Sequence, residues 1–440
     1  MRILLMAPHP FFQERGTPIA CRLLCEALCE SGHEVDLLTY HEGEDVVIPG
    51  LRIRRIPRIP FVKDIPIGFS FKKLVCDAFM FPVLLWRLAW TRYDVIHANE
   101  ESVFMALVVR ACMRKPLVYD MDSSMAEQLM EKWDGLHTIR WLLEGFERLA
   151  FRYSDVVMPV CEDLAAKVRR MVPESMPVVV EDIALPDGPP DEKVDNLRGL
   201  CGPNCPIVLY VGNLETYQGM DLLLEAVSRV PTELTFRLFV IGGAPAAVTA
   251  YAAVAEEKKI ADRVLFLGAR PVRQLNRYLA QADILVSPRI KGQNTPMKVY
   301  SYLASGKPVL ATRIRSHTQA MDEASACLAD PLPATFAAAL TKLIQNEEMR
   351  EQYGRAGAAL AAQRYSMPAF RQKVGQVYER VAEVLDRMED ERRKPDAPPR
   401  PKPETISFPE ERRPPAFKVT KPRDGEVDRT SSDKIQFPGE

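Results

Sequence analysis

The stretch IVLYVGNLETYQGMDLLLEAV, residues 207–227, decides how this chain folds. Residues 207–211 are apolar on both alternations, as a parallel strand covered on both faces is. Gly212-Asn213-Leu214-Glu215-Thr216-Tyr217-Gln218-Gly219 is a polar loop between two glycines. From Met220 the apolar residues recur at helical spacing. Strand, glycine loop and helix in that order are half of a βαβ unit, and the pattern extends in both directions. It predicts strands over 2–7, 34–39, 95–97, 117–120 and 156–159 upstream. Downstream it predicts strands over 235–241, 264–267, 284–287 and 309–312. Helical stretches separate them, so the expected class is α/β, with two doubly wound, Rossmann-like domains. The Pro-, Gly- and acid-rich run at about 186–205 reads as the linker between a domain at 1–190 and one at 200–365. A last amphipathic helix is expected at 366–389, and its docking place is left open.

Composition narrows the function classes. Of 440 residues, 47% are hydrophobic and 27% charged, a soluble globular balance. Lys plus Arg number 58 and Asp plus Glu 59, a net charge of -1, so no basic field points to nucleic acid as a partner. Apolar runs such as 79–85 are too short to span a bilayer. The start, MRILLMAPHP, lacks the h-region of a signal peptide, which suggests a cytoplasmic protein with reduced thiols at its nine cysteines. Residues 386–440 hold 10 of the 36 prolines, 13 basic and 13 acidic residues, and no Leu, Cys or Trp. Such a segment cannot bury enough apolar surface to offset its ordering entropy, so a disordered tail is expected over 390–440.

Three loops carry the chemistry. Gly16-Thr17-Pro18 follows the first strand and opens a helix, where free N–H groups and the helix dipole favour an anion. It reads equally as a plain turn, with Thr17 as cap. Gly212, Asn213 and Gln218 mark the equivalent junction of the second domain. The third loop runs from Ser287-Pro288-Arg289 through Lys291, Gln293, Asn294, Thr295, Pro296 and Met297 to Lys298. Its cations and the amides of the helix starting at Thr295-Pro296 make a candidate diphosphate clamp. His97 and His317 follow strands and are candidate ligands for an acceptor or donor hydroxyl, or structural histidines. Asp120 and Asp122 are candidate acid–base or sugar-binding carboxylates, or caps of the next helix. Cys21, Cys25 and Cys29 share a helix face and read as buried packing. Residues 61–90, FVKDIPIGFSFKKLVCDAFMFPVLLWRLAW, mix aromatics with Lys63, Lys72, Lys73 and Arg87. They suit an anionic membrane surface or a helix buried in the core.

Across residues 1–385 the order of these elements resembles a family 4 glycosyltransferase of the GT-B fold. The segments YDVIHAN, SDVVMPVCEDLAAKV, LYVGNLETYQGMDLLLEA, ADILVSPR and NTPMKVYSYLASGKPVLAT carry the likeness. The resemblance implies sugar transfer from a nucleotide diphosphate sugar, with retention and without a metal or other cofactor. It implies a donor on the C-terminal domain and an acceptor, saccharide or lipid-linked, on the N-terminal one. Polysaccharide, lipopolysaccharide or glycolipid assembly is the expected setting. Asp122 stands where the family has a histidine beside the transferred sugar. With Lys298 it is the candidate catalytic pair. Asn213 and Gln218 replace a family Arg and Lys. Gln293 and Ser301 replace a pair of glutamates, of which the second normally holds the ribose hydroxyls. These departures leave two other readings, an inactive nucleotide-sugar-binding scaffold and a GT-B sugar-nucleotide epimerase.

Overall fold

The computed structural model describes residues 1–14, 16–66, 68, 70–188 and 193–393. The expected tail at 390–440 falls outside the described residues from 394 onward. The first half contains β1 (Arg2–Ala7), α1 (Gly16–Glu30), β2 (Glu34–Thr39), β3 (Leu51–Arg55), α2 (Phe71–Trp90), β4 (Val95–Asn99) and α3 (Ser102–Cys112). It continues with β5 (Leu117–Met121), α4 (Met125–Lys132), α5 (Arg140–Tyr153), β6 (Val156–Pro159) and α6 (Glu162–Met171). The second half contains α7 (Leu197–Cys201), β7 (Ile207–Val211), α8 (Met220–Arg229), β8 (Arg237–Ile241), α9 (Pro245–Glu257), β9 (Val264–Gly268), α10 (Leu275–Gln281) and β10 (Ile284–Ser287). Then follow α11 (Met297–Ala304), β11 (Val309–Thr312), α12 (Arg315–Thr318), β12 (Cys327–Ala329), α13 (Pro333–Gln345), α14 (Glu347–Arg364) and α15 (Met367–Arg393).

Each half builds one six-stranded, all-parallel sheet. The orders are β3-β2-β1-β4-β5-β6 and β12-β11-β10-β7-β8-β9. Renumbered within each half, both read 3-2-1-4-5-6. In that order the strand sequence reverses between the first and fourth strands, and ligands bind in the crevice beyond their carboxyl ends. The crevices therefore open beside the loops after β1 and β4, and after β7 and β10. All three loops singled out in the sequence leave those strands.

Two strands escaped the pattern. β3 reads Leu-Arg-Ile-Arg-Arg, an edge strand whose arginines find acids across the ladder. Arg52 lies 3.4 Å from Glu34 and Arg54 3.8 Å from Asp36. Buried Asp36 also accepts from Tyr93 Oη at 2.6 Å and Arg2 Nη2 at 3.1 Å. β12 has three residues, too few to show a period. Cys201 and Cys205 are joined as a disulfide, against the expectation of reduced thiols. Cys21 and Cys25 are buried along α1.

The last helix crosses over to the first sheet. Phe370, Val374, Val377, Tyr378 and Val381 of α15 are buried among Ile3, Leu5, Leu24 and Leu28. Tyr378 is buried there, with its hydroxyl 2.9 Å from His97 Nδ1. His97 is thus held beneath the crevice by α15, with Asp120 Oδ2 3.5 Å from Nε2 on its other side. The expectation that it faces an acceptor is corrected: a ring with no exposed surface and both nitrogens facing protein groups does not reach one.

Candidate active site

On the C-terminal sheet the loops after β7 and β10 are locked together. Gly212 has φ 152° and Gly219 φ 76°. A Cβ at Gly219 would stand 2.0 Å from Pro288 O, so only glycine lets the first loop pass beneath the second. Ile290 N donates to Tyr217 O at 2.9 Å, and Tyr210 Oη donates to Asn213 O at 2.6 Å. Arg289 shapes the second loop by donating to Lys291 O at 2.6 Å and Asn294 O at 3.1 Å. Its guanidinium also lies over the Tyr217 ring at 5.3 Å. Arg289 is therefore buried in the loop's own architecture, while the Lys291 side chain is exposed.

Lys298, in the first turn of α11, points back over this floor. Its ammonium is 4.0 Å from the Tyr210 ring centre and 3.4 Å from Gln218 Oε1. A Cβ at Gly212 would come within 2.9 Å of it. Among the described residues no carboxylate pairs with it. Burial, and then the charge of Arg289, pull its ammonium down to about 7. A half-buried cation that meets only an amide oxygen and a ring face is poised for an anion.

Several residues are placed differently from the expectation. Pro296, not Thr295, stands at the cap of α11, and no side chain closes its first turn. Val299 N donates to Pro296 O at 2.9 Å, no side chain caps the Met297 and Lys298 amides, and Thr295 is buried. Ser301 is buried, and its hydroxyl accepts from Leu185 N at 3.0 Å, so it anchors the incoming chain rather than facing a ribose. His317 is fully buried: Nε2 lies 2.9 Å from Ser287 Oγ and Nδ1 2.8 Å from Thr312 O. Burial lowers it to about 3, a neutral clip between β10 and β11 rather than a phosphate ligand. The exposed Gln293 has its carbonyl held by Gln319 Nε2 at 2.6 Å. Met297 packs toward the N-terminal core.

On the N-terminal sheet α1 starts at Gly16 itself, so Thr17 lies inside the first turn and does not cap it. A Cβ at Gly16 would meet nothing within 4 Å. Glu100, Asp120, Asp122 and Asp182 gather beyond β4 and β5. Asn99 Nδ2 donates to Asp120 at 3.2 Å and to Asp122 at 3.4 Å. Ser123 Oγ lies 2.9 Å from one Glu100 carboxyl oxygen and 3.0 Å from the other. Burial first, then mutual repulsion, raises Glu100 to about 8, Asp182 to about 7 and Asp122 well above its ordinary value. Asp122 faces Asn99, Glu100, Asp120 and Asp182 of the N-terminal half, and Lys298 faces Tyr210, Gln218 and Arg289 of the C-terminal half, so the two expected catalytic residues belong to different clusters.

Sequence reasoning missed the clasps between the halves. Glu14 accepts from Val272 N at 2.9 Å and pairs with Arg273 at 3.1 Å. Arg315 pairs with Asp163 at 2.5 Å, and Gln319 Oε1 accepts from Asp163 N at 3.3 Å. No local pattern marks such residues, because their partners lie more than 150 positions away.

Comparison with known proteins agrees with this architecture. Residues 15–181 match the model of the glycosyl transferase 4-like domain, and residues 205–346 that of the glycosyl transferases group 1. The D-inositol 3-phosphate glycosyltransferase of Xylanimonas cellulosilytica is 29% identical over 165 residues, 36% of this chain; the match spans only 39% of that relative's length. The phosphatidyl-myo-inositol mannosyltransferase of Mycobacterium leprae is 24% identical over 87% of this chain and 97% of its own. Among solved structures, sucrose-phosphate synthase from Thermosynechococcus elongatus superposes with a TM-score of 0.72 at 21% identity, covering 87% of this chain and 99% of that one. Anabaena Alr3699/HepE in complex with UDP-glucose gives 0.64 at 16% identity, covering 86% and 99%. With both sheets in one strand order and both halves matched, the chain belongs to the family 4 glycosyltransferases of the GT-B fold.

Proposed function

We propose that the protein transfers a sugar from a nucleoside diphosphate sugar, UDP- or GDP-linked, to an acceptor in polysaccharide, lipopolysaccharide or glycolipid assembly. The observation that carries this reading is Lys298. Its ammonium has no carboxylate partner among the described residues and lies over glycine-floored loops beside an uncapped helix start. Cleaving a sugar–diphosphate bond leaves charge on phosphate oxygens. An ammonium and fixed amides stabilise that charge without reorganising. In this reading the C-terminal half holds the donor through Gly212, Asn213, Gln218, Arg289 and Asn294 to Lys298. The N-terminal half receives the acceptor near Gly16, Glu100 and Asp122. Enclosure between the halves, held by the Glu14 and Asp163 clasps, favours transfer over hydrolysis. Retention of configuration and independence from metal belong to the same proposal. So does a lipid-linked acceptor reached through membrane contact at 61–90. The names of relatives acting on inositol phosphates, and a neighbour holding UDP-glucose, support the donor and acceptor classes.

A thermal-shift panel of UDP, GDP, ADP and CMP, each with and without Mg²⁺, tests it. A ligand at 100 times its dissociation constant adds about 2.7 kcal/mol. One diphosphate should stabilise equally with and without metal, followed by sugar transfer from its hexose conjugate. Binding without transfer to any acceptor would favour the scaffold, which the diverted Ser301 hydroxyl suits.

A further inference from the structure

The chain passes between the halves twice, and both passages meet at one point. Val178 N donates to Val157 O at 3.0 Å and Val180 N to Pro159 O at 3.1 Å, so these residues ride on β6. Leu185 N donates to Ser301 Oγ at 3.0 Å and Ala184 N to Tyr365 O at 3.4 Å, so those residues ride on the C-terminal half. The return passage runs from the end of α14 to the start of α15. Glu181 ties it to the outgoing one, 3.3 Å from Arg364 Nη2 and 2.6 Å from Lys373 Nζ. Residues 181–183 lie between the two sets of anchors and form the hinge.

Asp182, at its centre, lines a cavity of about 20 Å³ together with Cys21, Asn99, Asp120, Asp122 and Phe370. That space holds about one water, so ionised carboxylates there are left almost without hydration. Asp182 faces Asp120 of β5, Asp122 just beyond it, Tyr300 of α11 and its own neighbour Glu181, whose charge Arg364 and Lys373 offset. Asp120 in turn lies 3.5 Å from His97 Nε2 of β4 and acts on Tyr378 of α15 and Cys21 of α1, while Asp122 faces Glu100. Among the described residues Lys73 is the cation that reaches this group, through Glu100, and it is paired with Glu101. Asn99 is 3% exposed and its amide nitrogen donates to both aspartates, yet its Oδ1 has no hydrogen-bond partner among the described residues. That oxygen lacks a donor, which water entering an opened cavity would supply.

We propose that Asp182 is a pH-sensitive hinge carboxyl: protonated beside Asp120 and Asp122 it keeps the crossing closed, and its ionisation drives residues 181–183 out of the acidic cavity and lets the halves swing apart. Burial, then repulsion from Asp120, raises Asp182 to about 7 in the closed state. The closed state therefore holds more protons than an open, hydrated one. It is favoured at low pH and lost as pH rises through 7. Each unit by which the closed value exceeds the open one shifts the equilibrium tenfold. This motion needs no donor or acceptor, so it stands or falls apart from the transfer reading.

The test is amide hydrogen exchange of the nucleotide-free full chain at pH 6 and pH 9, corrected for the intrinsic pH dependence of exchange. Protection at Ala184 and Leu185 should fall about tenfold or more at pH 9, while that of β6 holds. Small-angle scattering should show the radius of gyration rising over the same interval. Asp182→Asn, neutral at both pH values, should keep the protection and radius seen at pH 6. Asp122→Asn, which removes one acidic neighbour, should reduce the change. Melting temperatures at pH 6 check that each variant is folded; should Asp182→Asn fail to fold, Asp122→Asn carries the comparison. Unchanged protection or an unchanged radius in the parent overturns the proposal, as does a change of the parent's size in either variant. Equal loss of protection in β6 would assign the effect to unfolding of the first half and also overturn it.

Discussion

The Lys298 ammonium sits 4.0 Å from the centre of the Tyr210 ring and directly over Gly212, where any Cβ would approach within 2.9 Å. Ring, glycine and amide together make a seat for a cation but leave its charge uncompensated. Lys298→Ala should therefore weaken binding of the nucleoside diphosphate by about 1.5–3 kcal/mol, the range for hydrogen bonds to charged groups. Its melting temperature should stay level or rise, since a desolvated cation is removed. Calorimetric titration checks the first part, and unchanged affinity would remove Lys298 from the site.

The same lysine sets a pH dependence. Its ammonium titrates near 7 in the empty protein, below its ordinary value. A bound diphosphate favours the charged form and raises that value. Affinity should be flat below pH 7, then fall as pH rises toward the value in the complex, with proton uptake on binding. Titrations in buffers of different ionisation enthalpy read that uptake. Zero uptake near pH 8 would contradict it.

Two glycines should behave oppositely. Gly16→Val meets open space in the protein, so stability should hold while transfer falls, if ligand approaches there. Gly219→Ala combines positive φ with a Cβ 2.0 Å from Pro288 O and should cost about 2 kcal/mol or more. Denaturant melts and a transfer assay on both variants separate turn glycine from site glycine.

Tyr378→Phe leaves His97 Nδ1 buried without its hydroxyl partner, at a cost of about 1–3 kcal/mol. Nucleotide affinity should not change. An affinity loss at full stability would return His97 to the binding site.

The carboxyl cluster predicts a slope of stability with pH. Glu100 is raised to about 8 and Asp182 to about 7, so the folded state holds more protons than the unfolded one above the ordinary carboxyl range. Their contribution is complete below about pH 4 and is lost as pH rises through 7 to 8. Glu100→Gln should flatten the fall in melting temperature between pH 5 and 8. A variant curve parallel to the parent's would show that Glu100 is not the titrating group.

Much of the fold was legible because buried parallel strands are apolar on both alternations. Ile207–Val211 and Ile284–Ser287 lie where the periodicity put them. β3 was not legible: its arginines are compensated by Glu34 and Asp36 on a neighbouring strand, which a local window does not see. The loop after β7 was legible as a strand-to-helix junction between two glycines, and the one after β10 as a cation-bearing strand end. The roles of His97, Ser301 and His317 were not. Each is decided by a distant partner (Tyr378, Leu185 and Ser287 respectively), and strand-end position alone does not distinguish a ligand from a clip.

Because Phe370, Val374, Val377 and Tyr378 complete the core around Ile3 and Leu5, the first domain cannot finish folding when its own sheet leaves the ribosome. Synthesis of the intervening residues 190–366 takes roughly 10–40 s at about 5–20 residues per second. Through that interval the underside of β1 and α1 stays uncovered, a natural client surface for a chaperone. A fragment ending in the linker would keep that apolar surface permanently, so splitting the chain into two halves would require carrying α15 over to the first.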